Sequence, residues 1–476
     1  MSLNNYYNEN FSSTNQVLLH MLFFGFIIPV ILIAPVSLVN QDIAGKYIYT
    51  NLELIILIRN IVIFLIISSI LLPLLILSVS KITGENQKLV LNFYNPFTKF
   101  IIHYAPLTAF ISGVILLYAA AVSVDFLLTK VEFKDLFRGG YRHITIMIAA
   151  LLIGVIGPVF YFINIIFNFY RSKELKVYGK LISEQEQPEL FKIIKTISKE
   201  VNSIFPDNII IGNQIGFFVT AANVLIPNEN KKVSGNTLYV SLPFFTILTE
   251  DEFKGIIGHE LAHFSGEDTI YASKVGPTIV RLAQHLNYLD AEYTKNIKEK
   301  NKGSVNYIEK FMIAGSNTML LIPSLPLMYL ILDLHKKDIA ISYKQELRAD
   351  KIGASVCKSN KNFINGLCKF ALYQSMYEEN DFVNYDQNQS LINRFTNKYF
   401  DQNLYINKKR LEEIMLVELL HPSDTHPSIK ERMKNLKVKT SDLNTQSLKK
   451  TTPSASNFIK EIDELDDYIT KGVSLN

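Results

Sequence analysis

The chain has 476 residues, 48 % of them hydrophobic and 19 % charged, with a net charge of +4 and two cysteines, Cys357 and Cys368. That balance excludes a disordered or fibrous chain, and two cysteines exclude a disulfide-stapled scaffold. So small a net charge on so long a chain gives no electrostatic case for nucleic acid, and no nucleic-acid partner is expected.

The charges are unevenly spread. Residues 1–170 carry 9 Lys/Arg and 7 Asp/Glu, about 9 % of positions, whereas residues 171–476 carry 39 and 37, about 25 %. The second figure suits a water-soluble domain; the first points to a membrane. A bilayer span needs about 20 apolar residues, and four segments qualify: 17–39, 61–80, 101–128 and 144–170. The first 16 residues lack Lys and Arg, unlike the basic start of a signal peptide, so the first span is expected to persist as an anchor. Four spans place the N-terminus, the loop 81–100 and everything after Tyr170 on one side. Seven flanking Lys/Arg on that side against six on the other predict a cytoplasmic C-terminal domain. Trp is absent, so Tyr104, Tyr118, Tyr161 and Tyr170 are the candidate interfacial aromatics. Arg59 and Asp125 lie near span ends, where long side chains reach water.

Residues 249–268 read TEDEFKGIIGHELAHFSGED. Thr249 with Glu252 is a capping-box pattern opening a helix, and Gly266 suits its end. Phe253, Ile256, Ile257 and Leu261 recur at helical spacing and mark a buried face. His259 and His263, at i and i+4, share one face and can close on one tetrahedral Zn²⁺. Glu260 projects beside them, placed to act on the attacking water rather than on the metal. Two His leave a catalytic zinc one protein ligand short. Downstream, Glu346 and Asp350 stand at i and i+4 in YKQELRADKIGASV. The plain alternative for that pair is surface ion pairing, Glu346 with Arg348 and Asp350 with Lys351.

HELAH at 259–263, ELRAD at 346–350 and THPSIKER at 425–432 together resemble the HtpX-like and CAAX-prenyl-protease-related membrane zinc metalloendopeptidases, over roughly residues 183–436. SEQEQPELFKIIKTISKEV at 183–201 is similar to the helix that precedes the family's catalytic core. The resemblance implies that His259, His263 and Glu346 bind one zinc ion and that Glu260 is the general base. It implies Asp350 behind His259 as an outer carboxylate that fixes the imidazole, with Asp268 at a further frequent acidic position. It also implies that His426 and Arg432 bind substrate or stabilise the oxyanion; for His426 a helix-entry role before Pro427 is the alternative. The implied setting is the inner (plasma) membrane, with the lipid bilayer and an extended protein or peptide substrate as partners. NQIGFFVT at 213–220 departs from the family's N-A-F-A edge strand, and PNENKKVSG at 227–235 is an insert. The edge is still expected to bind substrate as an added strand.

Residues 311–332 form a further charge-free run of 22 residues, yet they lie between His263 and Glu346, which must reach one metal. The run therefore packs against the membrane, turns back at Pro323 and Pro326, or is matched by a second crossing in 269–293; membrane association is favoured. Residues 437–457 read as a linker rich in Lys, Ser and Thr. Phe458, Ile462, Leu465 and Ile469 share one helical face, and whether that helix docks stays open.

The expected fold is thus an α-helical membrane domain (1–170) followed by a mainly helical, α+β zincin-like peptidase domain (171–436) with a small edge sheet, then a linker and short helix (437–476). The expected function is a zinc metalloendopeptidase acting on membrane or misfolded proteins. The alternatives are a CAAX-type processing protease for a lipidated peptide and a non-catalytic zinc-binding membrane sensor.

Overall fold

The computed structural model describes residues 71–104, 175–214, 216–300, 307–379, 427–443 and 454–474, with Asn60, Ile67 and Ile392 singly. The apolar segments 17–39 and 144–170, nine residues of 61–80, residues 105–128 and His426 lie outside the described residues. Among the described residues no helix is long and apolar enough to cross a membrane. The chain divides into two compact units. One comprises Met1–Ser172 with Val275–Lys337, the other Lys173–Lys274 with Asp338–Asn476.

The second unit holds every described motif residue. Its main sheet has four strands in the order β2-β3-β7-β4: β2 Gly179–Ile182, β3 Asn208–Gly212, β7 Thr237–Ser241 and β4 Phe218–Thr220. β7 runs parallel to β3, while β2 and β4 are antiparallel to their neighbours. Alternation along the strands divides the side chains. Ile209, Ile211, Leu238 and Val240 enter the main core, whereas Ile210 and Tyr239 face the other way, toward Val224 and Ile226.

Helix α1 (Pro188–Glu200) starts with proline at its first turn, where the missing N–H costs nothing. It buries Leu190, Ile194 and Ile197 against the sheet and helix α2 (Glu250–Ser265). The 227–235 insert is a hairpin. β5 (Val224–Ile226) and β6 (Lys231–Val233) pair antiparallel through a 3₁₀ turn, Pro227–Glu229, with Asn230 left-handed at φ 49°. β1 (Leu175–Lys176) joins β5 in parallel, making a separate three-stranded sheet.

Helix α3 (Asp268–Lys300) and helix α4 (Tyr307–Val356) are both continuous. This removes one of the three alternatives: the chain does not turn back at Pro323 and Pro326, because α4 continues through both. A proline inside a helix forfeits a backbone hydrogen bond and favours a kink, which is not a reversal. The stretch 269–293, considered as a hidden return path, is likewise helical.

In the first unit, residues 71–83 and 95–104 are helical around a five-residue π turn, Val90–Tyr94. Asp333 on α4 accepts from Ser80 Oγ at 2.6 Å and from Tyr94 Oη at 2.5 Å. Lys337, one turn on, donates to the carbonyls of Ser80 and Gly84 at 2.9 and 3.0 Å. At the end of the 71–83 helix the Lys337 ammonium thus joins the Gly84 N–H, which reaches the Ser80 carbonyl at 3.1 Å.

Candidate metal centre

Thr249 and Glu252 form the capping box at the start of α2: Glu252 N donates to Thr249 Oγ1, and Thr249 N donates to Glu252 Oε2 at 2.8 Å. The box is held from outside. Lys369, fully buried on helix α5 (Asn360–Glu379), donates to the same Oε2 at 2.7 Å and to the Ile247 carbonyl. About two and three turns further along α2 stand His259 and His263, with Gly266 at the C-cap.

Helix α4 meets α2 at glycines. A Cβ on Gly353 would lie 2.6 Å from the Gly255 carbonyl oxygen and 3.0 Å from His259 Cβ; one on Gly255 would lie 2.9 Å from Cys357 Cβ. Only glycine permits this approach, and the approach brings Glu346, a buried residue of α4, against both imidazoles. His259 Nε2 lies 3.4 Å from Glu346 Oε2, and His263 Nε2 lies 3.5 Å from Glu346 Oε1. The ligand atoms of the three residues all fall within 4.8 Å of one another. A tetrahedral metal with ligands about 2.0–2.1 Å away sets neighbouring donors about 3.4 Å apart. Two imidazoles and a carboxylate at that spacing fit a zinc ion in chemistry and in scale.

Each histidine is backed by an aspartate, and each aspartate by an arginine. His259 Nδ1 faces Asp350 Oδ1 at 3.1 Å. Arg432 grips Asp350 as a fork, Nε to Oδ2 at 2.9 Å and Nη2 to Oδ1. His263 Nδ1 lies 2.9 Å from Asp268 Oδ2, which also accepts from Arg348 Nη2 at 2.6 Å. Burial opposes charge on His259, but Asp350 and Glu346 outweigh it and push the imidazole up to about 10. Burial alone would raise the Asp350 carboxyl; His259 and Arg432 instead hold it below the ordinary range. Burial likewise works against the Arg432 charge, which Asp350, Glu346 and Glu260 restore. The cluster is rich in negative charge and set up for a cation.

The surface-pair alternatives for the ELRAD segment do not occur: Arg348 pairs with Asp268, and Asp350 with Arg432. Glu260 is partly exposed beside His259 on α2. Arg432 stands one turn into helix α6 (Ile429–Asn435), whose start is fixed by a second capping box, Ser428 with Glu431. Its side chain is 12 % exposed and spent on Asp350, with Glu346 Oε2 at 3.8 Å, so it stands behind His259. Sequence reasoning missed Lys369 and the partner of Arg348. The S-x-x-E pattern at 428–431 was a readable signal for α6. Both cysteines are buried free thiols, and burial pushes each up to about 12, so neither is a nucleophile or a ready ligand at neutral pH.

The C-terminal segment docks on this unit. Ser454 Oγ donates to the Phe245 carbonyl and Ala455 N to Leu248 O, while Phe458 packs on Phe253 with ring centroids 5.7 Å apart. Helix α7 (Ile462–Ser474) buries Leu465 and Ile469 in the main core. Both described ends of the expected linker are packed, with Val438 and Leu443 against a cluster around Phe363.

Comparison with known proteins agrees with the motifs. Residues 231–440 match peptidase family M48. A protein named Protease HtpX homolog from Syntrophobacter fumaroxidans is 22 % identical over 240 residues, 49 % of this chain and 74 % of that one. Proteins of the same name from Nostoc punctiforme and Thermodesulfovibrio yellowstonii are 30 % and 29 % identical, over 26 % and 30 % of this chain and 42 % and 49 % of theirs. No solved structure matches the chain. The HELAH and ELRAD helices, their convergence on one metal-sized cluster and these matches agree: residues 231–440 form a peptidase family M48 metallopeptidase domain, similar to that of the proteins named Protease HtpX homolog.

Proposed function

We propose that the chain is a membrane-anchored, zinc-dependent endopeptidase that cuts membrane or misfolded proteins. The observation that carries it is the spacing of His259, His263 and Glu346 at the scale of a tetrahedral zinc site, with Glu260 on the same helix. A zinc ion held by those three residues supplies a Lewis acid for the scissile carbonyl. Glu260 takes a proton from the attacking water and returns it to the leaving amine, so no net proton is consumed. Asp350 and Asp268 hold the two imidazoles with Nε2 toward the centre. Arg432 stabilises Asp350 and, through its 3.8 Å approach to Glu346, offsets the local negative charge.

The substrate reading rests on β4, the outer strand of its sheet; among the described residues nothing pairs with its free edge. An exposed edge accepts an extended peptide as an added strand. β4 itself pairs with β7 with Phe218 opposite Tyr239. Before it Asn213, Gln214, Gly216 and Phe217 lie outside any strand, with Phe217 turned into the core against Phe244 and Phe253. Membrane anchoring rests on the four apolar segments of residues 1–170.

Metal analysis of the purified chain tests the centre: one zinc per chain is expected, lost in His263→Ala. Less than a tenth of an equivalent in the wild type would end this reading. An unfolded membrane protein and a prenylated peptide, assayed side by side, separate the quality-control role from CAAX-type processing.

A further inference from the structure

Zinc-binding histidines are oriented by the acceptor on their far nitrogen. Here that acceptor is not free to choose its own position. Asp268 sits just past the end of α2, after Gly266 and after Glu267, whose φ is +59°, so its backbone direction is set by a tight turn. Its buried carboxylate meets His263 Nδ1 on one side and Arg348 Nη2 on the other. The same Nη2 donates to the Ala262 carbonyl at 3.1 Å, a carbonyl at the end of α2. Arg348 therefore ties three things together: the last turn of the HELAH helix, the Asp268 carboxylate, and helix α4, on which Glu346 lies two residues away. Gly266 makes room for it. A Cβ there would fall on the Arg348 guanidinium, and Gly266 has φ −91°, a conformation alanine adopts without strain.

We propose that Arg348 is a positioning residue for the metal centre, acting through Asp268 to hold the His263 imidazole toward zinc. Arg432, through Asp350, stands in the same relation to His259. Each imidazole thus has its own Asp–Arg support, and the ELRAD helix contributes to both, with Arg348 to one and Asp350 to the other. The inference rests on the zinc-peptidase reading above.

The experiment measures zinc affinity of the detergent-purified full chain by competition with a chelator, alongside thermal unfolding of the metal-free protein. Loss of an outer partner of a metal-bound histidine costs about 10–100-fold in metal affinity. Asp268→Asn and Arg348→Gln should each weaken zinc within that range, with Arg348→Lys restoring part of the loss. The double variant should bind zinc no more weakly than Asp268→Asn alone, because Arg348 acts through Asp268. Gly266→Ala pushes the guanidinium aside without altering any charge. It should reproduce the loss in the wild-type background and add nothing to Arg348→Gln, with metal-free unfolding unchanged. Unaltered zinc affinity in both Arg348→Gln and Gly266→Ala, with wild type binding zinc, overturns the inference and leaves the zinc reading standing. Losses that simply multiply in the double variant also overturn it. A wild type that binds no zinc overturns both.

Discussion

Replacing Lys369 with methionine should destabilise the second unit although Lys369 touches no metal ligand. Its ammonium is fully buried and donates to Glu252 Oε2 at 2.7 Å and to Ile247 O at 3.3 Å. Glu252 is 4 % exposed, and without Lys369 its carboxylate keeps the Thr249 N–H as donor, at 2.8 Å. Breaking a buried pair by removing one partner costs about 3–5 kcal/mol, because the other charge stays buried. For a domain of this size each kcal/mol moves Tm by about 2–4 °C, so the expected fall is on the order of 10 °C. Far-UV circular dichroism melts of the purified chain read it. Adding Glu252→Gln removes the stranded charge and should recover more than half the loss, since the amide still accepts from Thr249 N. A fall below about 2 °C, or a double variant as unstable as Lys369→Met, would refute the reasoning that the buried charge sets the cost.

Three further outcomes follow from the same contacts. Gly353→Ala places a methyl 2.6 Å from the Gly255 carbonyl, which should cost about 1–3 kcal/mol and weaken metal binding, because α4 must move away from His259; unchanged melting and zinc affinity would contradict it. Phe458→Ala strips the zinc helix of its Phe253 contact and should cost about 3 kcal/mol, read as faster tryptic release of the C-terminal segment. In chelator-treated protein His259 is raised to about 10. A raised pKa means that its stabilisation is fully present below the unfolded value of about 6.5 and is lost as pH rises through about 10. The Tm of that form should therefore fall between pH 7 and pH 10, and His259→Gln should flatten the profile.

What could be read from the sequence was local. Thr249, Glu252 and Gly266 mark both ends of α2, because capping chemistry acts within a turn, and the structure uses each as expected. The i, i+4 spacings put His259 with His263 and Glu346 with Asp350, since helix periodicity alone dictates them. The face of Phe458, Leu465 and Ile469 was visible as well, but not that it docks, which depends on a cavity built by Phe245, Leu248 and Phe253 some two hundred residues earlier. Separation in sequence also hid Lys369 behind Glu252, 117 residues earlier, and sent Arg348 to Asp268, 80 residues earlier, rather than to its neighbour Glu346. Gly255 and Gly353 carry no signature of their own; their meaning lies in how closely two helices pass. Pro323 and Pro326 left a reversal open as one alternative, and the turn preference of proline gave way there to a continuous helix.

The most direct measurement is cleavage of an unfolded membrane protein by the detergent-purified chain, with wild type and Glu260→Gln side by side. Wild type should cut the substrate, stop when zinc is chelated and recover when zinc is returned. Glu260→Gln should keep one zinc per chain and lose at least about 10²-fold in rate, the scale of a lost general base. Full activity in Glu260→Gln, or wild-type cleavage that a chelator leaves untouched, would contradict a zinc peptidase that works through Glu260.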